Sequence, residues 1–257
     1  MVPAARAVPA EGDLRRLSDG ALAAAAQLTR TTDVHGLASF LYLANWVPFS
    51  PVWARRFPDV PALEQFLVGD DAVRALLARH WRPRHDAQWF HWEPRTPVRS
   101  STTRKLYVSS RPGDAADVLR RTVEVMADGD APPFKVTRLP RGLLRPDRLV
   151  LYVRSNQELD DLTAALEPAL TDYRPQGVPF TAPTGRSGIV SWGADPPVSV
   201  REFGASWRRW VTRKLAAYLC ASDADDASGR AAFARARIHD DGVDPTSWVP
   251  TPDLWAA

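Results

Sequence analysis

The chain has 257 residues, of which 45% are hydrophobic and 25% charged, and its formal net charge is +3. This length and apolar content favour an ordinary globular protein with a substantial core, as one large domain or two small ones. The single cysteine, Cys220, excludes an internal disulfide and any cluster of thiolate metal ligands. Because no segment has the continuous apolar run of a signal peptide or a membrane helix, we expect a cytoplasmic protein.

The first stretch, residues 1–95, is predicted to be a helical region that ends in an aromatic strand. Apolar residues recur there at helical spacing, Asp33 is placed to cap one helix, and the prolines of PFSPVW end it. The aromatic segment QWFHWE indicates a strand. The predicted helices span residues 14–28, 34–46, 61–68 and 71–80.

The second stretch, residues 96–222, is predicted to form the α+β core, and residues 223–257 a C-terminal helix with a tail rich in proline and tryptophan. All three stretches are expected to form one compact unit. The predicted strands span residues 104–109, 132–139 and 148–154, with a further short strand at GIVSW. One predicted helix begins at Asp114, and three others span residues 156–170, 200–219 and 224–238.

Familiar catalytic motifs are missing from the sequence. The five histidines, His35, His80, His85, His91 and His239, have neither HxxxH nor HExxH spacing, and no GxSxG elbow, Walker loop or GxGxxG is found. We therefore expect no metal and no cofactor. His91 is a candidate proton carrier or a structural residue.

Lysine and arginine on strands and loop ends are the other candidates. In the strand PPFKVTRL, Phe134 and Val136 point to one face, so Lys135 lies with Thr137 on the other. For any one such cation alone, a solvated surface position is the simpler interpretation, and most tryptophans belong to the core. Trp92 and Trp192 are candidates for the wall of a cleft. The candidate cations are Lys105, Lys135, Arg145, Arg148, Arg186 and Arg208.

The order of these segments resembles that of a known family. KLYVSSRP, a helix, PFKVTRL and RLVLYV are similar, in sequence order, to the K-x-H strand, helix, W-K-V-T strand and L-Y-[VI] strand of bacterial phosphothreonine lyases delivered by type III secretion. The later segments GVPFTAPTGRSGIVSWGADPP and EFGASWRRWV resemble the HopA-type effector family, whose relatives occur in gene clusters for class V lanthipeptides and thioamitides. The resemblance covers about residues 99–220 and implies a mixed sheet with flanking helices.

The resemblance implies that phosphate is eliminated from a phosphorylated serine or threonine of a peptide, which leaves dehydroalanine or dehydrobutyrine. Lys135 takes the place of the base, since an amine kept neutral by burial and nearby positive charge can remove the α-proton. Cations would hold the departing phosphate and stabilise its charge. The implied phosphate ligands are Lys105, Arg148, Arg208 and Arg186.

One position departs from the family pattern. Where the secreted lyases have a histidine two residues after the first lysine, this chain has Tyr107. Tyrosine can donate a proton to a leaving oxygen, and the lyase domains of lanthipeptide synthetases resemble this arrangement, so Tyr107 is the candidate acid. A packing role for Tyr107, and with it lost activity, remains the alternative.

The sequence thus predicts a phosphoserine/phosphothreonine lyase of ribosomal peptide natural product biosynthesis. Its expected partners are a phosphorylated precursor peptide and a separate kinase-like protein, because nothing in the chain resembles a nucleotide-binding kinase. We expect no nucleic acid and no membrane partner. One alternative is a phosphopeptide-binding or assembly subunit of the modification complex. Another is nucleic-acid binding by the basic helix at residues 201–214, which the scattered acidic residues disfavour.

Overall fold

The fold is α+β, as the sequence predicts. The computed structural model describes residues 12–96, 104–185, 187–196 and 206–251. The helices there are α1 Gly12–Leu28, α2 Val34–Tyr42, α3 Pro51–Arg56, α4 Val60–Val68, α5 Asp71–His80, α6 Ala115–Ala127, α7 Asn156–Ala169, α8 Trp207–Ala221 and α9 Ala227–Asp240. The strands are β1 Trp81–His85, β2 Trp89–Pro94, β3 Arg104–Val108, β4 Phe134–Thr137, β5 Leu149–Val153, β6 Ala182–Pro183 and β7 Val190–Ala194.

Helix α2 is shorter than its apolar spacing predicts. The carboxylate of Asp33 caps its start by accepting a hydrogen bond from the amide of Gly36 at 2.7 Å. The chain then leaves the helix after Tyr42, and Asn45 adopts a left-handed conformation with φ of 63°. The side chain of Asn45 donates to the carbonyls of Gln176 and Gly177, so the loop after α2 is bound to the segment that contains these two residues.

The strands form one sheet in the order β1-β2-β4-β5-β3-β7-β6. Every strand pairing in the described parts of the chain is antiparallel, whereas the family resemblance implied a mixed sheet. Strand β1 was not predicted, because four of its five residues are exposed and Pro83 interrupts it. His80 and Asp86 hydrogen-bond to the chain at β2, and in an antiparallel pair every second residue does so. Pro83 lies at a position between these bonded residues, so its nitrogen points away from β2 toward the free edge, where proline is tolerated.

The two faces of the sheet have different coverings. The core face carries the apolar side chains of the central strands, and helices α4 to α7 pack on it. The cleft face carries Lys105 and Tyr107 on β3, Lys135 on β4 and Val150 on β5, the positions that alternate with those core residues. Helices α1, α2, α8 and α9 form a second core, and α2 and α8 lie beside the cleft face.

Helix α8 starts close against the sheet because β7 carries a glycine there. A Cβ atom at Gly193 would lie 2.3 Å from the ring of Trp207, the first residue of α8. The indole of Trp207 also donates to the carbonyl of Phe180 at 2.8 Å. These contacts fix the N-terminus of α8 at the cleft face. Among the described helices, none combines the length and the hydropathy that a bilayer crossing needs.

Candidate active site

The register of the sheet places the predicted base and the predicted acid in one row of the cleft face. Lys135 lies opposite Val150 of the neighbouring strand β5, and Val150 lies opposite Tyr107 of β3. On its other side, Lys135 lies opposite His91 of β2. Lys135 and Tyr107 are therefore two strands apart, about 10 Å between their backbones.

A small cleft of about 40 Å³ opens above this row. Four of the cations predicted for the site lie in the described residues. Three of these four line the cleft: Lys105, Lys135 and Arg208. The full lining consists of Tyr42, Trp89, Lys105, Tyr107, Lys135, Arg145, Asp147, Val150, Ser206 and Arg208. Arg186 lies outside the described residues. Within the described parts of the chain, no group of histidine, cysteine and carboxylate side chains is arranged to hold a metal ion.

Lys135 is a partly buried amine packed between aromatic rings. Its Nζ lies 4.3 Å from the ring centroid of Trp89 and 5.6 Å from that of Tyr152. Burial and the positive charge of Lys105 lower the pKa of Lys135 to about 8. Among the described residues, no carboxylate lies within ion-pairing distance of this amine. Because this pKa lies near neutral pH, a fraction of Lys135 is neutral at pH 7 and able to accept a proton.

Lys105, the second lysine, is held by Asp195, a residue that the sequence reasoning missed. Both carboxylate oxygens of Asp195 accept from Lys105 Nζ, at 2.5 and 2.6 Å. One of them also accepts from the backbone amide of Trp207 at 3.2 Å. Asp195 follows β7 directly, so it fixes the ammonium group of Lys105 beside the N-terminus of α8.

Two arginines share a buried carboxylate at the opposite side of the cleft. Asp147 accepts from Arg145 at 2.8 and 3.0 Å, and its Oδ2 lies 2.8 Å from Arg208 Nη1. Burial alone would raise the pKa of Asp147, but the charges of Arg208 and Arg145 hold it well below its usual range. Arg145 also donates to the hydroxyl of Tyr42 at 2.8 Å. Arg145 was one of the candidate cations, whereas Asp147 and Tyr42 were missed.

Arg148 was predicted to bind phosphate, and its position corrects that expectation. Its guanidinium group is buried, and it donates to the carbonyls of Leu143, at 2.5 Å, and Ser110, and to the side chain of Gln176. Gln176 in turn donates to the carbonyl of Leu144 at 3.1 Å. With its donors used in this way, Arg148 fixes the turn that carries Arg145 and is not part of the cleft lining.

The hydroxyl group of Tyr107 is kept protonated by its surroundings. Burial, followed by the negative charge of Asp195, raises the pKa of Tyr107 well above its ordinary value. The phenol is therefore a donor at neutral pH, as a general acid must be before it acts.

The tryptophan that walls the cleft is Trp89, and the predicted pair Trp92 and Trp192 is corrected. Trp92 stacks on Phe134 in the core at a centroid distance of 4.9 Å, and Trp192 packs against the same core. The ring of Trp89 lies 4.3 Å from Lys135 Nζ and 4.9 Å from Arg145 Cζ. His91 is beside the cleft, where its Nε2 lies 2.9 Å from Asp86.

The fold is similar to that of bacterial effectors. An effector protein from Pseudomonas syringae pv. tomato strain DC3000 matches with a TM-score of 0.50 at 12% identity, over 93% of this chain and 99% of that chain. The effector from P. syringae pv. syringae strain 61 has a TM-score of 0.48 at 15% identity, over 92% and 98%. The phosphothreonine lyase SpvC, an effector from Salmonella, has a TM-score of 0.41 at 11% identity, over 81% and 100%. No protein-family model and no curated protein sequence matches.

Proposed function

We propose that this chain is a phosphoserine/phosphothreonine lyase that eliminates phosphate from a phosphorylated peptide. The observation that carries the proposal is the cleft itself. A lysine with a lowered pKa and no carboxylate contact among the described residues lies beside three further cations, Lys105, Arg145 and Arg208. A proton-accepting amine next to an anion-binding pocket is the combination that β-elimination of phosphate needs.

In the proposed reaction, Lys135 at one end of the row accepts a proton, and Tyr107 at the other end donates one. Neutral Lys135 takes the α-proton of the phosphorylated residue, and the electron pair of that bond forms the double bond between Cα and Cβ. The bond from Cβ to oxygen breaks, and phosphate departs with the other electron pair. Tyr107 donates a proton to the departing oxygen, so the proton gained by Lys135 balances the one given up by Tyr107. The products are a dehydro amino acid and inorganic phosphate.

The charges of the cleft match a phosphate dianion. With neutral Lys135, the three cations Lys105, Arg145 and Arg208 and the two carboxylates Asp147 and Asp195 leave a charge of +1, which becomes +2 once Lys135 has taken the α-proton. Arg208 and Ser206 also lie at the N-terminus of α8, where the helix dipole favours an anion. As the Cβ–O bond breaks, negative charge moves onto the phosphate oxygens, and these fixed groups stabilise it.

The proposed substrate is a precursor peptide of ribosomal natural product biosynthesis, phosphorylated by a separate kinase-like protein. Two sequence features support this context: the segments that resemble HopA-type relatives in lanthipeptide and thioamitide gene clusters, and tyrosine in place of the histidine of the secreted lyases.

The test is incubation of the protein with a synthetic peptide that contains one phosphothreonine or phosphoserine. Mass spectrometry should show loss of the mass of phosphoric acid with the natural chain and no loss with Lys135→Ala. The unphosphorylated peptide is the control for the substrate. If no phosphorylated peptide loses that mass, the lyase proposal fails.

A second candidate is a phosphopeptide-binding subunit without catalysis. It is favoured by Tyr107 in place of histidine and by the carboxylate of Asp195 on Lys105. The same incubation discriminates, because a binding subunit would retain the peptide without changing its mass.

A further inference from the structure

In the described parts of the chain, the cleft face is bordered by helices on one side and exposed on the other. Tyr42 of α2 and Ser206 and Arg208 at the start of α8 enclose the cleft above β3 and β7. On the other side, the face continues over β2 to β1, where every residue after Trp81 is exposed. Among the described residues, the exposed path for a peptide whose phosphorylated residue occupies the cleft therefore runs over these two strands.

Two arginines project from β1 onto this open part of the cleft face. Arg84 lies opposite His91, which lies opposite Lys135, and Arg82 lies opposite Glu93. Both arginines share the face with Lys135, since the partners in a cross-strand pair point the same way. Arg84 is thus two strand spacings from Lys135, about 10 Å between backbones.

The acidic groups nearby leave these arginines available. In the described parts of the chain, no carboxylate lies within ion-pairing distance of Arg82 or Arg84, although Glu93 is the cross-strand neighbour of Arg82. Asp86 is engaged elsewhere: it accepts from the amides of Gln88 and Trp89, both at 2.8 Å, and contacts His91.

We propose that Arg82 and Arg84 form a subsite for an acidic side chain of the substrate peptide, an inference that rests on the proposed lyase function. An extended peptide advances about 3.3 Å per residue, so the acidic residue lies about three positions from the phosphorylated one. Side chains rather than backbone make this contact, because Pro83 offers no amide hydrogen to an added strand at the free edge.

Binding of fluorescent peptides to the Lys135→Ala protein tests the subsite without turnover. The peptides contain one phosphothreonine, with aspartate three positions before it, aspartate three positions after it, or alanine at both positions. One of the two aspartate peptides should bind about fivefold more tightly than the alanine peptide, the size expected for exposed ion pairs. In the triple variant Lys135→Ala, Arg82→Ala and Arg84→Ala, the preference for the aspartate peptide should disappear. The affinity for the alanine peptide should stay unchanged.

The matched control removes the same charge from the other side of the sheet. Arg74 and Arg79 are exposed on α5, whose buried side chains belong to the core face, so Arg74→Ala with Arg79→Ala should keep the aspartate preference. As a further check, Arg84→Glu should favour a peptide with lysine in place of the preferred aspartate. No aspartate preference in the natural arginine background, or equal weakening for all three peptides in the β1 variant, would overturn the subsite.

The two proposals fail separately. Absence of elimination with the natural chain contradicts the lyase, whatever the peptides bind. Absence of an aspartate preference in the natural arginine background contradicts the β1 subsite alone, because the alanine peptide still reports binding of the phosphate in the cleft.

Discussion

The two faces of the sheet are built from the same strands and have opposite chemistry. On β3, Leu106 and Val108 point into the apolar core, while Lys105 and Tyr107 point into the cleft. The strict alternation of a strand lets one short segment serve both faces. Burial on the core face stabilises the fold and offsets the free-energy cost of gathering charges on the other face. Substitutions on the two faces should therefore change different measurements.

The largest effect is expected at Lys135. Lys135→Ala removes the proposed base and should lower the elimination rate about a thousandfold, within the range for a general base. The melting temperature should not fall, because the substitution removes a desolvated charge that has no ion pair among the described residues. The rate is measured by phosphate release. Retained activity in Lys135→Ala would contradict its role.

A core-face substitution on the adjacent strand should give the converse result. Leu151 is fully buried in the core and lies on β5 next to the cleft residue Val150. Leu151→Ala should lower the free energy of unfolding by about 3 kcal/mol through the cavity that it leaves. The turnover number of the folded fraction should stay near that of the natural chain. Chemical denaturation and phosphate release, measured below the unfolding transition, separate these effects.

A substitution at Asp147 is expected to change both the free energy of unfolding and the enzymatic activity. Asp147→Asn keeps the shape of the side chain but leaves Arg145 and Arg208 without their shared negative charge, at a cost of about 3 kcal/mol in stability. Since the two guanidinium groups would no longer be held in place, we also expect a higher KM for the phosphopeptide. The control is Asp160→Asn, an exposed carboxylate on α7, which should change neither value.

The smallest effect is a pH dependence. With a pKa of about 8, Lys135 is protonated at low pH and neutral at high pH. The value of kcat/KM should therefore rise with pH and level off above about pH 8. Because the charge of Lys105 lowers the pKa of Lys135, Lys105→Met should move this rise to higher pH. A profile that falls between pH 6 and pH 8 would contradict Lys135 as the base.

Much of the local structure could be predicted from the sequence. The boundaries of α5 and α7, the strand at Phe134–Thr137 and the separation of Lys135 from Phe134 follow from apolar spacing and capping residues. Strand β1 could not be predicted, because an exposed edge strand with proline has no alternation of apolar residues. Trp89 could have been found, since it alternates with Trp92 and must point to the opposite face.

The partners within the cleft were harder to predict. Asp147 and Arg208 are far apart in sequence, and Tyr42 comes from an N-terminal helix outside the stretch that resembles the lyase family. Arg148 precedes the same strand as the cleft residue Val150 and points the same way, yet its long side chain turns to carbonyl groups at the strand end. Alternation gives the face of a residue and leaves the direction of a long side chain undetermined.

The sequence by itself determined most of the elements, the two chemically distinct faces and the lysine on one of them, because these depend on spacing along a single segment. Tertiary packing decided which cations meet at that lysine and which carboxylates hold them. Those features depend on contacts between segments 60 to about 100 residues apart, such as Asp147 with Arg208 and Arg145 with Tyr42, and the distance between such segments is set by the packing of the helices and the sheet.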